Sequence, residues 1–222
     1  MSIATLILGQ SGTGKTASMR DMNPAQTFLI QTIRKPVSFK APGWSYATKE
    51  HPNGNIFASD NSQTIICLMR KITRPVIVID DFQYLLANEF MRRSEEKGYD
   101  KFTEIARHAW DVLTEASSLG NDTRVYVLSH TEEDQGGTTK IKTIGKLLDE
   151  KITPEGMFTT VLRTSVIDGD YAFTTQNNGR DTVKSPMGMF AEPRIPNDLA
   201  AVDKAIVNFY SITTKPSNQP TH

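Results

Sequence analysis

The chain has one cysteine, Cys67, in 222 residues. An internal disulfide is therefore excluded, which fits a reducing compartment. Cys67 lies in an apolar helical stretch, residues 62–70, where a buried structural thiol is expected. An excess of either charge is also missing, since Lys+Arg and Asp+Glu are 25 each. No global field draws such a chain to nucleic acid or to a membrane surface, so a nucleic-acid site has to be a local patch. No stretch approaches the ~18 apolar residues of a membrane span, and the start lacks the basic-then-apolar pattern of a signal peptide. A cytoplasmic protein without a membrane partner is expected. The length suits a single α/β domain over residues 1–212. Residues 213–222, mostly polar with two prolines, read as a disordered tail.

What is present is concentrated at the N-terminus. Gly9-Gln10-Ser11-Gly12-Thr13-Gly14-Lys15-Thr16 fits the phosphate-binding pattern G-x-x-x-x-G-K-[ST]. The apolar run at residues 3–8 in front of it reads as a buried strand, and residues 15–22 behind it as a helix stopped by Asn23-Pro24. Glycines let backbone N–H groups converge on phosphates, and the helix N-terminus adds partial positive charge. Lys15 would reach the β- and γ-phosphates, and Thr16 would place its hydroxyl on Mg²⁺. The alternative is a glycine-rich strand–helix turn with a chance Lys-Thr.

Val76-Ile77-Val78-Ile79-Asp80-Asp81 is the second signal. An unbroken β-branched run reads as a central parallel strand, buried on both faces. Two aspartates at its carboxyl end stand where α/β sheets bind ligands. Asp80 is the candidate Mg²⁺ carboxylate, and Asp81 the candidate group that orients or activates water. An ordinary helix cap would also suit Asp here. A further strand, residues 124–129, ends in His130, a candidate sensor of the γ-phosphate with Ser129 behind it. Lys15, Asp81 and His130 make up the candidate catalytic set.

The rest of the chain reads as follows. Residues 27–31 form a strand, and residues 44–48 a short edge strand. Helices cover residues 62–72, 82–93 and a stretch from Phe102 to Ala116. In the last of these Trp110 is expected in the core, and His108 on the surface or as a satisfied packing residue. Residues 135–146 form a mobile basic loop whose Lys140, Lys142 and Lys146 could contact DNA phosphates; a solvated hairpin is the plain alternative. Residues 157–175 form a hairpin turning at Asp168-Gly169. Arg180 and Lys184 could reach a neighbouring subunit's γ-phosphate, or be ordinary loop charges. Asn197-Asp198 caps a final helix over residues 199–210.

Together the chain resembles a family of phage P-loop nucleotide-binding proteins with a RecA-like core. The likeness covers about residues 3–207. It rests on residues 9–16, on Val78-Ile79-Asp80-Asp81-Phe82-Gln83-Tyr84, on Val127-Leu128-Ser129-His130-Thr131-Glu132, on Lys142-Thr143-Ile144-Gly145-Lys146, and on Thr175-Gln176-Asn177-Asn178-Gly179 with Lys184-Ser185-Pro186. The resemblance implies an α/β P-loop NTPase fold: a mostly parallel RecA-like sheet, helices on both faces and a C-terminal β-hairpin. It implies ATP and Mg²⁺ as ligands and single-stranded DNA as partner, in phage recombination, annealing or replication. It also implies a homo-oligomer in the host cytoplasm that works beside a single-strand-binding protein or helicase. One departure stands out. RecA-type ATPases carry a glutamate at the end of the strand after the P-loop helix, and this strand ends Ile30-Gln31-Thr32. Either Asp81 activates the water, or hydrolysis is slow and the protein is a nucleotide-gated recruitment module. A P-loop nucleotide kinase is the remaining alternative, although Arg163 and Arg180 form no lid cluster.

Overall fold

The computed structural model describes residues 1–120, 122–145 and 147–213. The apolar runs are strands: β1 (Ile3–Leu8) and β2 (Thr27–Gln31), then, past the short edge strand β3 (Ile56–Ala58), β4 (Val76–Asp80) and β5 (Arg124–Ser129). β2, β4 and β5 are buried throughout, and β1 everywhere except Ile3, which is half-buried. Two small strands, β6 (Thr131–Glu133) and β7 (Thr139–Ile141), form a separate two-stranded antiparallel sheet. Last come β8 (Thr160–Ile167), β9 (Asp170–Thr174) and β10 (Arg194–Pro196).

Among the described residues the main sheet has eight strands, in the order β10-β9-β8-β1-β5-β4-β2-β3. Every pair from β8 to β3 is parallel, and β9 and β10 add on antiparallel. The chain moves outward from β1 on one side to β2, returns through β4 and β5, and crosses to β8 on the other. That reversal leaves a crevice beyond the carboxyl end of β1, where open α/β sheets hold ligands. The β8–β9 hairpin turns at Asp168 (φ 51°) and Gly169 (φ 79°), as its Asp-Gly pair led us to expect.

Both faces are covered because both are apolar. Helices α1 (Ser62–Lys71), α2 (Gln83–Arg92) and α3 (Asp100–Ser118) pack Ile65, Met69, Leu85, Ile105, Ala109 and Val112 against one face. On the other, α4 (Leu199–Phe209) and a short helix at Thr16–Asp21 bring Leu199, Val202, Ile206 and Met19 onto Ile7, Leu128 and Leu162. The Asn61 side chain caps α1 by accepting from the Thr64 amide (2.9 Å), and Asp198 caps α4 by accepting from the Ala200 amide (2.9 Å). None of the helices among the described residues is long and apolar enough to cross a membrane.

Several sequence expectations are corrected here. The helix after the glycine loop is a six-residue 3-10 helix rather than a longer α-helix. Cys67 is exposed, not buried, because α1 turns its seam of Ser62, Ile65, Ile66 and Met69 inward. Trp110 is 40 % exposed. It follows Ala109 by one residue, about 100° round the helix and off the buried stripe. His108 behaves as expected, with Nδ1 2.9 Å from Glu89 Oε1. Residues 44–48 contribute only one bridge, Tyr46 to Ile56, and the edge strand is β3. The tail expected from residue 213 and the Asn121 helix stop lie outside the described residues, Thr213 itself excepted.

Arg124 anchors α4 beneath β5. Its Nε and Nη2 donate to the two carboxylate oxygens of Asp203 at 2.8 and 2.9 Å, and the Tyr126 hydroxyl donates to the same carboxylate at 2.6 Å. Arg124 is only 3 % exposed. Removing one member of a buried pair strands the other's charge. Asp203→Ala is therefore expected to cost about 3 kcal/mol in urea unfolding. A loss below about 1 kcal/mol would show that the pair contributes no more than a surface ion pair does.

Candidate functional site

The parallel sheet collects its polar strand ends at one edge. Gly9 and Lys15 follow β1, Asp80 ends β4 with Asp81 just past it, and His130 follows β5, which lies between β1 and β4. A cleft of about 360 Å³ at this edge is lined by Ser11, Gly12, Gly14, Lys15, Thr16, Ala17, Lys35, Ser38, Asp81, His130 and Tyr171.

Two glycines of the loop are required by contact as much as by conformation. A Cβ on Gly9 would come 1.8 Å from Thr164 Oγ1, which itself bonds Thr13 Oγ1 at 2.6 Å and so braces the loop from β8. Gly14 has φ 93°, and a Cβ there would meet Tyr171 Cδ1 at 2.9 Å. The following helix is too short to supply much of a macrodipole, so positive potential here comes from loop N–H groups and lysines.

Lys15 is 6 % exposed. Its ammonium donates to the carbonyls of Gly9 and Gln10, each at 2.8 Å, across the loop. Burial lowers its pKa to about 8, against the opposing pull of Asp80 and Asp81. The Thr16 hydroxyl donates to Asp80 Oδ2 at 2.9 Å, and the Asp81 amide donates to Asp80 Oδ1 at 3.0 Å. Asp80 is fully buried. Burial first, and then the neighbouring Asp81 charge, raise its pKa to about 6.

Asp81 stands in the left-handed region at φ 60°, where a residue with a Cβ is strained. Thr32, just past β2, holds it there: the Thr32 hydroxyl donates to the Asp81 carbonyl at 2.6 Å. The turn aims the carboxylate into the cleft, where it pairs with Lys35 and lies 3.6 Å from His130 Nε2. Burial opposes its ionisation, but His130 and Lys35 outweigh that and hold its pKa below the usual carboxylate value. Burial likewise opposes the charge on Lys35, and its hydrogen bond to Asp81 overcomes this, so its pKa is raised.

Thr16 and Asp80 thus present two oxygens side by side, a donor set that suits a hard cation. There is no group of three or more His, Cys, Asp or Glu placed to hold a metal among the described residues. Mg²⁺ needs only one or two carboxylates when phosphates complete its shell.

A second cleft, about 440 Å³, lies past Tyr171 and shares Ala17 and Tyr171 with the first. Arg20, Gly169, Asp170, Pro196 and Asn197 complete its lining. Asn197 is buried, and among the described residues its Nδ2 has no hydrogen-bond partner. The buried Ser129 hydroxyl is likewise unpartnered among those residues.

The remaining expected site residues lie away from this cleft. The segment expected to be a mobile basic loop is largely the β6–β7 hairpin, its turn tied by Asp134 Oδ1 accepting from the Gly136 and Thr138 amides, each at 2.9 Å. Lys140 sits on β7 and Lys142 is exposed just past it, while Lys146 lies outside the described residues. The Lys142 amide donates to the His130 carbonyl at 2.8 Å, joining the hairpin base to the cleft. Arg180 and Lys184 are exposed and line neither cleft. Sequence reading missed Lys35, Ser38, Tyr171, Thr164 and Asn197. None belongs to a local motif; the only available signal was a basic residue soon after the β2 run.

No family model matches this chain, and no curated protein matches it.

Asp80 gives a stability test with a defined sign. Its pKa is raised from the ordinary 3.8 to about 6 in the folded protein, so stability is lost as pH rises between those two values and the full cost is present above about 6. Asp80→Asn preserves both hydrogen bonds, with the Thr16 hydroxyl reversing its role. The variant is expected to melt higher than wild type at pH 8 and to show little gain at pH 3, by thermal unfolding followed by circular dichroism. An equal gain at both values would mean that folding does not raise the Asp80 pKa.

Proposed function

We propose that this protein is a RecA-like P-loop protein that binds ATP with Mg²⁺ and hydrolyses it while acting on single-stranded DNA, in phage recombination, annealing or replication. The observation that carries this is the meeting of Lys15, Thr16, Asp80, Asp81 and His130 at the ends of three neighbouring strands around one cleft. Loop N–H groups and Lys15 would cradle the phosphates, with the lysine leaving the Gly9 and Gln10 carbonyls to do so. The nucleoside would extend into the second cleft, with Tyr171 offering a ring and Asn197 Nδ2 a donor. Thr16 and Asp80 are the residues that would hold Mg²⁺, which supplies charge neutralisation at the phosphates.

Asp81 would orient a water and accept its proton. The water oxygen attacks the γ-phosphorus, the bond to the β-γ bridging oxygen breaks, and that oxygen leaves with the electron pair on ADP. His130 can report the change through its carbonyl to the Lys142 amide and so to the β6–β7 hairpin, where Lys140 and Lys142 would meet DNA phosphates. Exposed Arg180 and Lys184 are available to a neighbouring subunit in a homo-oligomer, and a single-strand-binding protein or helicase remains the expected companion. A second reading, a slow or non-hydrolysing nucleotide-gated recruitment module, is favoured by the pairing of Asp81 with Lys35, which engages the carboxylate that would activate water.

The test is the ATP hydrolysis rate at low salt with and without single-stranded DNA. DNA is expected to raise the rate, and added salt to weaken the response. Lys15→Ala is expected to lower turnover on the order of 100-fold. The Lys140→Ala, Lys142→Ala double variant is expected to keep ATP affinity and lose DNA affinity. No response to DNA with intact ATP binding would favour the recruitment module, and no ATP binding at all would end the nucleotide proposal.

A further inference from the structure

Lys35 lies in the phosphate cleft without belonging to the phosphate-binding motif. It stands four residues past Gln31, beyond the strand end that lacks an acid. Its ammonium pairs with Asp81 while its side chain remains 42 % exposed to the cleft; Asp81 is 4 % exposed. The Lys35 backbone is fixed. Gln31 Nε2 donates to its carbonyl at 3.0 Å, and the Tyr46 hydroxyl donates to Gln31 Oε1 at 2.6 Å. The Arg34 guanidinium lies 4.6 Å over the Tyr46 ring and closes that support. A held backbone carrying a long, flexible side chain is a suitable arm for moving one charge over a short path. Lys15 differs, since it rests on loop carbonyls and does not touch Asp81.

We propose that Lys35 is a second phosphate-binding cation of this cleft, drawn from Asp81 by the terminal phosphate of a nucleoside triphosphate, so that Asp81 is freed to hold water only when that phosphate is present. This rests on the nucleotide site proposed above. An ammonium is a point charge with rotatable donors, and it can exchange a carboxylate for a phosphate without backbone movement. A terminal phosphate carries more charge than one carboxylate and offers several acceptor oxygens. A carboxylate engaged by a lysine is a poor proton acceptor, so the pair acts as a catch on Asp81. A diphosphate has no γ-phosphate to compete and leaves the pair in place. Lys35 thereby separates triphosphate from diphosphate.

The experiment measures the affinities of ADP and of the non-hydrolysable triphosphate AMP-PNP by calorimetry in Mg²⁺, for wild type, Lys35→Ala and Lys35→Arg. Lys35→Ala is expected to weaken AMP-PNP about tenfold and to change ADP by less than about twofold, with Lys35→Arg restoring most of the loss. Retained ADP affinity also reports that the variant is folded. Asp81→Asn, which releases Lys35 without removing it, is expected to strengthen AMP-PNP more when Lys35 is present than in the Lys35→Ala background. Equal losses for both nucleotides, or none for either, overturn the role of Lys35 and leave the nucleotide site standing. A wild-type protein that binds neither nucleotide overturns both.

Discussion

The structure depends on strands that are buried on both faces. β2, β4 and β5 have no solvent-facing side, and β1 has almost none. Polar side chains inside such a sheet would lose hydration without return. Charge is therefore displaced to the strand ends, and parallel pairing places equivalent ends at the same edge. The crevice opened by the reversal at β1 lies along that edge. The position of the cleft follows from how the core is buried.

The charges gathered there are nearly balanced and strongly interdependent. Asp80 and Asp81 are adjacent in sequence but meet opposite fates. Asp80 is enclosed and held by Thr16, and its ionisation is costly. Asp81, turned out by a left-handed backbone, is kept ionised by Lys35 and His130. Lys15 is held by carbonyls that phosphate oxygens would relieve. A site with strained backbone, a raised carboxylate and a depressed lysine is less stable than apolar packing would make it. Strained backbone and perturbed ionisable groups of this kind cluster at functional sites.

The connection away from the cleft is made by backbone. His130 begins the β6–β7 hairpin, and its carbonyl is bonded by the amide that follows β7. Arg163 ties the same hairpin to later segments through Thr139 Oγ1 (3.1 Å) and Asp181 Oδ2 (3.4 Å). A displacement of His130 would therefore be felt in a short, stapled unit rather than lost in a loop.

The sequence by itself determined the features whose cause is local. An unbroken β-branched run specified β4 and a short apolar run β5, Asp168-Gly169 the hairpin turn, Asp198 the cap of α4, and residues 9–16 the glycine loop, because each depends on neighbours within a few residues. Only the tertiary structure decided the rest. Cys67 and Trp110 are apolar enough to be buried, and helix phase turned them outward. Thr164, Tyr171 and Asn197 reach the loop from more than 150 positions away, through a β8 that pairs parallel with β1. Lys35 became a cleft residue because β2 ends beside β4, which sets its side chain against Asp81. Strand order is a long-range property of how two apolar faces are covered, and no spacing pattern along the chain encodes which charge will face which.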